Sequence, residues 1–162
     1  MQHPANVPVV RLERLINASP HEVYRAWLDP DTLQRWMAPG GMAVRKAEVD
    51  ERVGGAIRIF QTIAGADVGG FDGEVVELVP AQRLVFRWGF VGPQRELGPR
   101  YDSLLTITFA PAPGGTTRLT LIHERLDDLA KGMPGVDQQV AHGWSFVLNE
   151  LARVLARSAT GT

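Results

Sequence analysis

The sequence predicts an α+β fold of the helix-grip type. In this fold a curved seven-stranded antiparallel sheet has two short helices after its first strand and one long C-terminal helix across it. A run of segments with period-two alternation fills the middle of the chain, and short Gly- and Pro-rich turns separate these segments. The last segment instead repeats apolar residues every three or four positions, as an amphipathic helix does.

The N-terminal part predicts one strand and two short helices. Residues 7–16 alternate imperfectly between apolar and polar and indicate a strand. Ser19, Pro20 and Glu22 then form a helix start, since a capping serine is followed by proline at the first helical position and by glutamate three residues after the cap. The Asp-Pro-Asp sequence at 29–31 ends this helix and starts a second one.

Six further strands are predicted in the middle of the chain. Their connections are short, which favours antiparallel neighbours, because a parallel pair needs a longer crossover. The predicted strands are 44–50, 56–63, 71–78, 83–90, 101–109 and 116–124, with breaks at 54–55, 69–70, 79–81, 92–93 and 111–115.

The final helix is predicted from residue 136 to residue 157. Because twist curls a sheet of seven strands, a straight helix laid on it touches it along one line and leaves a gap elsewhere. A mid-helix glycine costs about 1 kcal/mol relative to alanine, so Gly143 predicts a packing or close-approach reason, and the structural interpretation is a close approach of this helix to another element. The apolar stripe is Val136, Val140, Trp144, Val147, Leu148, Leu151 and Leu155.

Length and composition exclude several classes of function. The 162 residues predict one domain over 7–158, with flexible tails at 1–6 and 159–162. A formal net charge of −1 argues against nucleic acid as a partner, and the absence of cysteine excludes disulfides and thiolate chemistry. The four histidines lack metal-ligand spacing, so neither a metal nor a cofactor is expected. Without a signal peptide or membrane span, a cytoplasmic location is expected.

Aromatic residues on one strand face and a single histidine are the candidate pocket residues. Phe86, Trp88 and Phe90 alternate onto one face, where they form either a pocket wall or ordinary core. His123 shares the face of Leu121 and is either a polar pocket group or a core histidine with one backbone partner. No catalytic residue is assigned. The candidate ligand-binding residues are Trp36, Met37, Phe86, Trp88, Phe90, Ile107, Leu121, His123, Val140, Trp144 and Leu148.

The chain resembles the family of proteins similar to the activator of the heat-shock-protein-90 ATPase, within the START-like superfamily, which also includes polyketide cyclases and the birch-pollen-allergen fold. The resemblance runs from about residue 10 to residue 155. It departs from the family pattern at residues 37–38, where Trp-Gly is frequent, and at Val140, where many members have histidine. The segments that carry it are INASPHEVYRAW (16–27), LQRWMAP (33–39), VGG (53–55), GEVVELVP (73–80), RLV (83–85), GTTRLTLIHE (115–124) and Gly143-Trp144.

The resemblance implies a cavity that binds a small hydrophobic or aromatic molecule, between the C-terminal helix and the sheet. Two alternatives stay open. The superfamily also contains cyclase-, dehydratase- and hydrolase-type enzymes, and the family name implies regulation of a chaperone ATPase. Contact with the chaperone is the weaker expectation, because the first strand begins too near the N-terminus for a preceding domain. A homodimer is compatible with the family type.

Overall fold

The computed structural model describes residues 9–94, 100–127 and 136–160. The strands are β1 Val10–Ile16, β2 Ala43–Val49, β3 Ala56–Ile63, β4 Ala66–Val79, β5 Arg83–Val91, β6 Arg100–Ala112 and β7 Thr116–Glu124. The helices are α1 Pro20–Ala26, α2 Pro30–Trp36 and α3 Val136–Thr160, and a 3₁₀ turn at Pro113–Gly115 joins β6 to β7.

The seven strands form one antiparallel sheet in the order β1-β7-β6-β5-β4-β3-β2, which confirms the predicted fold class. From β2 to β7 each strand pairs with the next along the chain, whereas β1 pairs with the last strand, β7. Irregular registers between β2 and β3, β3 and β4, and β4 and β5 interrupt the ladders on one half of the sheet. Such bulges bend a strand and increase its local twist.

Both short helices begin where the sequence predicts. The Ser19 hydroxyl accepts from the backbone N–H of Glu22, and the Glu22 carboxylate accepts from the backbone N–H of Ser19, so the capping box is complete. The Asp29 carboxylate accepts from the backbone N–H of Thr32 in the same way at the start of α2. These caps satisfy backbone donors that have no partner inside a helix.

The predicted break at Gly69-Gly70 is wrong. Both glycines lie inside β4, where their φ angles of 108° and 141° accommodate a register shift against β3. The turn lies earlier, at Ala64-Gly65, where both residues have positive φ and join β3 to β4. A two-residue hairpin with positive φ at both positions follows the strand twist, and alanine can occupy such a position although glycine does so more readily.

Some terminal predictions lie outside the described residues. These are positions 7–8 of the predicted first strand, the predicted tail at 1–6, and residues 161–162. The backbone of α3 continues through Thr160, beyond the predicted end at 157.

The three helices cover one face of the sheet, and the tryptophans fill the space between. The indole of Trp27 packs against Trp36 with 4.7 Å between ring centroids and against Trp144 with 5.8 Å. Trp144 in turn lies 5.9 Å from Trp88 of β5. All four side chains are at least 95% buried, so they link α1, α2, α3 and the sheet into one core. In the described residues, no helix is long and apolar enough to span a membrane.

Gly73→Ala is expected to destabilise the fold by about 2–3 kcal/mol, because a Cβ at this position would overlap the carbonyl oxygen of Arg87 and press on Ile57 Cγ2 at 3.2 Å. Urea unfolding monitored by circular dichroism measures the change. Gly92→Ala is the control, since a Cβ there meets no atom within 4 Å and its stability should change by less than about 0.5 kcal/mol. Equal effects of the two substitutions would contradict the packing described for β4.

Candidate functional site

A pocket of about 200 Å³ lies between α3 and the β3–β5 half of the sheet. Three sheet residues form its floor, namely Gln61 of β3, Phe71 of β4 and Phe90 of β5. The segment after α2 closes one side, and one face of α3 closes the other. The lining residues are Met37, Pro39, Gln61, Phe71, Phe90, Gln139, Val140, Gly143, Trp144 and Val147.

The pocket exists because α3 lies against the opposite edge of the sheet. Among the strands, β1 is the one that the described backbone of α3 approaches most closely. Arg14 of β1 fixes this contact, since its guanidinium donates to the Ser145 hydroxyl at 2.7 Å and to the Asn149 side-chain oxygen at 3.1 Å. A helix held at one edge of a twisted sheet stands off from the other half. The predicted gap therefore lies over β3, β4 and β5.

Gly143 leaves the pocket wall open. A Cβ at Gly143 would meet a single neighbour within reach, Pro39 Cγ at 4.0 Å, which is an ordinary van der Waals contact. The predicted reason for this glycine, a close approach of the helix to another element, is therefore wrong. The missing side chain costs the helix about 1 kcal/mol relative to alanine and leaves space at the pocket surface.

Three aromatic rings, those of Phe71, Phe90 and Trp144, form part of the pocket wall. Phe71 packs edge-on against Phe90 at 5.3 Å between centroids and lies 4.8 Å from Trp88, which is behind the wall. Trp144 closes the wall from the helix side. Among the described residues that line the pocket none is charged, so the site favours an uncharged, flat and apolar molecule.

A buried carboxamide is the polar group within this apolar wall. Gln61 is 6% exposed, and its Nε2 donates to the backbone carbonyl of Met37 at 3.0 Å. This bond ties β3 to the end of α2. The second glutamine of the lining, Gln139, is exposed on α3.

His123 lies behind the pocket and supports two of its rings. The Trp144 indole Nε1 donates to His123 Nδ1 at 2.9 Å, and the Phe90 ring stacks on the imidazole at 5.6 Å with an interplanar angle of 11°. His123 itself is fully buried. It therefore acts on the pocket by holding Phe90 and Trp144 in place.

The hydrogen bonds around His123 fix its tautomer. Because Nδ1 accepts from Trp144, the ring proton is on Nε2, which donates to the Ser103 hydroxyl at 2.6 Å. Ser103 in turn donates to the backbone carbonyl of Trp88 at 2.7 Å. In a Ser–His nucleophilic pair the imidazole instead accepts the serine proton. The hydrogen bonds from Trp144 to His123, from His123 to Ser103 and from Ser103 to the Trp88 carbonyl form a relay whose donor–acceptor direction is the opposite one.

Burial also keeps His123 neutral. Desolvation lowers the pKa of His123 from its ordinary value of 6.5 to about 3, because the imidazolium would lose its hydration inside the core. A protonated Nδ1 would in addition lose the hydrogen bond from Trp144. The histidine is thus a fixed, uncharged acceptor at neutral pH.

The structure brings some of the candidate residues to the pocket surface and places the others in the core. Met37, Phe90, Val140 and Trp144 line the pocket. The candidates that are buried without lining it are Trp36, Phe86, Trp88, Ile107, Leu121, His123 and Leu148. Trp36 instead lines a second pocket of about 310 Å³ together with residues 38–44, and its indole Nε1 donates to the carbonyl of Ala26.

Two polar residues at inward strand positions were missed by the sequence predictions. Gln61 continues the inward alternation of Ile57 and Ile59, and Ser103 continues that of Leu105. A polar residue at such a position is an available sequence signal, because a buried polar group needs a hydrogen-bond partner. The remaining pocket residues that were missed are Pro39, Phe71, Gln139, Gly143 and Val147.

An open antiparallel sheet crossed by a long C-terminal helix, with a pocket between them, defines a helix-grip protein. A family profile described as "Activator of Hsp90 ATPase homolog 1-like protein" matches residues 17–156. The chain belongs to this family, as its sequence motifs predict. No curated protein matches the sequence. Within the described residues, no group of three His, Cys, Asp or Glu side chains is placed to hold a metal ion.

Solved structures of similar proteins agree with this assignment. Protein CV1439 from Chromobacterium violaceum is 31% identical with a TM-score of 0.72, and the match covers 91% of this chain and 96% of that one. The AHSA1 (SPO3351) protein from Silicibacter pomeroyi is 25% identical with a TM-score of 0.76, covering 93% and 99%. PFC0360w, an HSP90 activator from Plasmodium falciparum, shares the fold at 24% identity and a TM-score of 0.69, covering 91% and 96%.

Acidification is expected to destabilise the protein through His123. The unfolded chain takes up a proton as the pH falls below 6.5, whereas the folded chain resists protonation down to about 3, so stability is lost across this window. Urea unfolding should show a loss of about 2–3 kcal/mol from this group between roughly pH 7.5 and 4.5.

His123→Gln should flatten this pH dependence, whereas His21→Gln on the exposed surface of α1 should leave it unchanged. Nitrogen-15 NMR of the wild-type imidazole provides a readout that does not depend on a variant. It should report the neutral tautomer with the proton on Nε2 at pH 5. A protonated His123 at that pH would contradict the relay.

Proposed function

We propose that this protein binds a small, uncharged, apolar molecule in the pocket between α3 and β3–β5. The observation that carries the proposal is Gly143, a helix glycine that no close contact requires and whose missing side chain leaves the pocket open. A chain that needed only a packed core would gain stability from a larger residue there.

The pocket's volume indicates the size of the ligand. An engineered apolar cavity of about 150 Å³ binds benzene, so a pocket of about 200 Å³ suits a molecule with one or two rings. Phe71, Phe90 and Trp144 offer flat surfaces to such rings. A charged ligand would be buried without a counter-ion among the described lining residues, which is costly.

An enzymatic role is the weaker alternative. General acid–base chemistry needs a titratable group within hydrogen-bond reach of the substrate. His123 and Ser103 are both buried behind the pocket wall, and their hydrogen-bonding capacity is used within the relay.

Regulation of a chaperone ATPase is retained as a second candidate because the structural neighbour from Plasmodium falciparum is an HSP90 activator. An ATPase assay of the host's own 90-kDa heat-shock chaperone, with and without this protein, tests it directly. Stimulation that persists when the pocket is filled by Gly143→Leu would favour a surface role over ligand binding.

Ligand binding is tested by thermal denaturation with naphthalene, indole and benzofuran. A ligand at 100 times its Kd stabilises the folded state by about 2.7 kcal/mol, which should raise Tm by roughly 5–10 °C for a chain of this size. If none of the three compounds shifts Tm at its solubility limit, the proposal is wrong.

Gly143→Ala should raise stability and weaken binding at once. Alanine stabilises the helix by about 0.5–1 kcal/mol, while its methyl group occupies pocket space. Gly143→Leu should weaken binding further. Urea unfolding and calorimetric titration with naphthalene measure the two effects, and Gly92→Ala, away from the pocket, should leave binding unchanged. Unchanged affinity in both Gly143 variants would place the ligand elsewhere.

A further inference from the structure

The side-chain oxygen of Gln61 is an unused hydrogen-bond acceptor at the pocket. The Met37 carbonyl can only accept, so the amide nitrogen of Gln61 must face it, and the bond of 3.0 Å fixes the orientation of the carboxamide. Oε1 then points away from Met37. Within the described residues, no side chain or backbone group donates to it.

This oxygen is not sealed inside the core. The fully buried side-chain nitrogen and oxygen atoms that lack a partner in the described residues are the indole nitrogens of Trp27 and Trp88. Gln61 Oε1 also lacks a partner there but is not one of these fully buried atoms, so it keeps some exposed surface. The Gln61 residue as a whole is 6% exposed, and it lines the pocket. The accessible surface that remains to its carboxamide therefore opens on the pocket.

An amide oxygen at an apolar surface selects for a donor. A molecule that fills the pocket without donating to Oε1 removes water from this oxygen and leaves it without a hydrogen bond, which costs binding free energy. A hydroxyl or an N–H on the molecule would restore the lost hydrogen bond. A cationic donor is disfavoured, because no carboxylate is among the described lining residues.

We propose that Gln61 is the specificity-determining residue of the pocket and that the ligand is an uncharged one- or two-ring aromatic molecule with a hydroxyl or N–H group that donates to Gln61 Oε1. This inference rests on the proposed function, since it names the class of ligand for the same pocket. Phe71, Phe90 and Trp144 contact the rings, and Gln61 orients them.

Indole and benzofuran test the inference because they have nearly the same shape and differ in the N–H donor. Isothermal titration calorimetry on the full chain should give indole an affinity about threefold to tenfold higher than that of benzofuran, the range for one net hydrogen bond. In Gln61→Met, which keeps the length of the side chain and removes its acceptor, the ratio should fall to about one.

Gln138→Met is the matched control. It makes the same chemical change at an exposed glutamine of α3 that does not line the pocket, and it should preserve the preference for indole. The side-chain amide signal of Gln61 in wild-type ¹H–¹⁵N spectra gives a second readout, which holds even if Gln61→Met does not fold. This signal should shift on adding indole and move much less with benzofuran.

The outcomes separate the two proposals. Equal affinity of the wild type for indole and benzofuran, or a preference that survives in Gln61→Met, overturns the role of Gln61 while ligand binding by the pocket stands. A shift of the Gln61 amide signal that is the same for both compounds overturns it too. Binding of naphthalene without binding of indole overturns the role of Gln61 alone. Binding of none of the three compounds to the wild type removes the proposed function and this inference together.

Discussion

Both the core and the pocket depend on the contacts that the indole of Trp144 makes. One part of its surface packs against Trp27 and Trp88 and joins α3 to α1 and to the sheet. Another part faces the pocket. Its position is set by the hydrogen bond from Nε1 to His123, which can form only while the imidazole is neutral. Core stability, pocket shape and acid sensitivity are thus coupled through one side chain.

Buried polar groups fix the positions of the side chains in this apolar region. Ser103, His123 and Trp144 form a relay that ends on the carbonyl of Trp88, and each hydrogen bond in it uses a donor or acceptor that burial would otherwise leave unpaired. Gln61 differs, because only its nitrogen is engaged with a protein group. A satisfied relay makes a wall rigid, whereas an unsatisfied acceptor gives the pocket a preference among ligands.

Much of the fold could be predicted because its signals are local. The capping box at Ser19 and Glu22 and the alternation of Phe86 and Trp88 each depend on residues a few positions apart. The break at Gly69-Gly70 was mispredicted for the same reason. Glycines with positive φ suit a bulge within a strand as well as a turn between strands, and only the pairing with β3 and β5 distinguishes the two.

The sequence by itself determined the family, the order of the elements and the apolar face of each, since periodicity and motifs are properties of neighbouring residues. Tertiary structure decided where the predicted gap lies. The Arg14 contacts hold α3 at the β1 edge and leave space over β3–β5, so Phe71 and Gln61 reach the pocket surface while Phe86 and Leu121 do not. Such a gap forms where the curved sheet and the straight helix separate. Contacts between residues more than 100 positions apart determine where this happens.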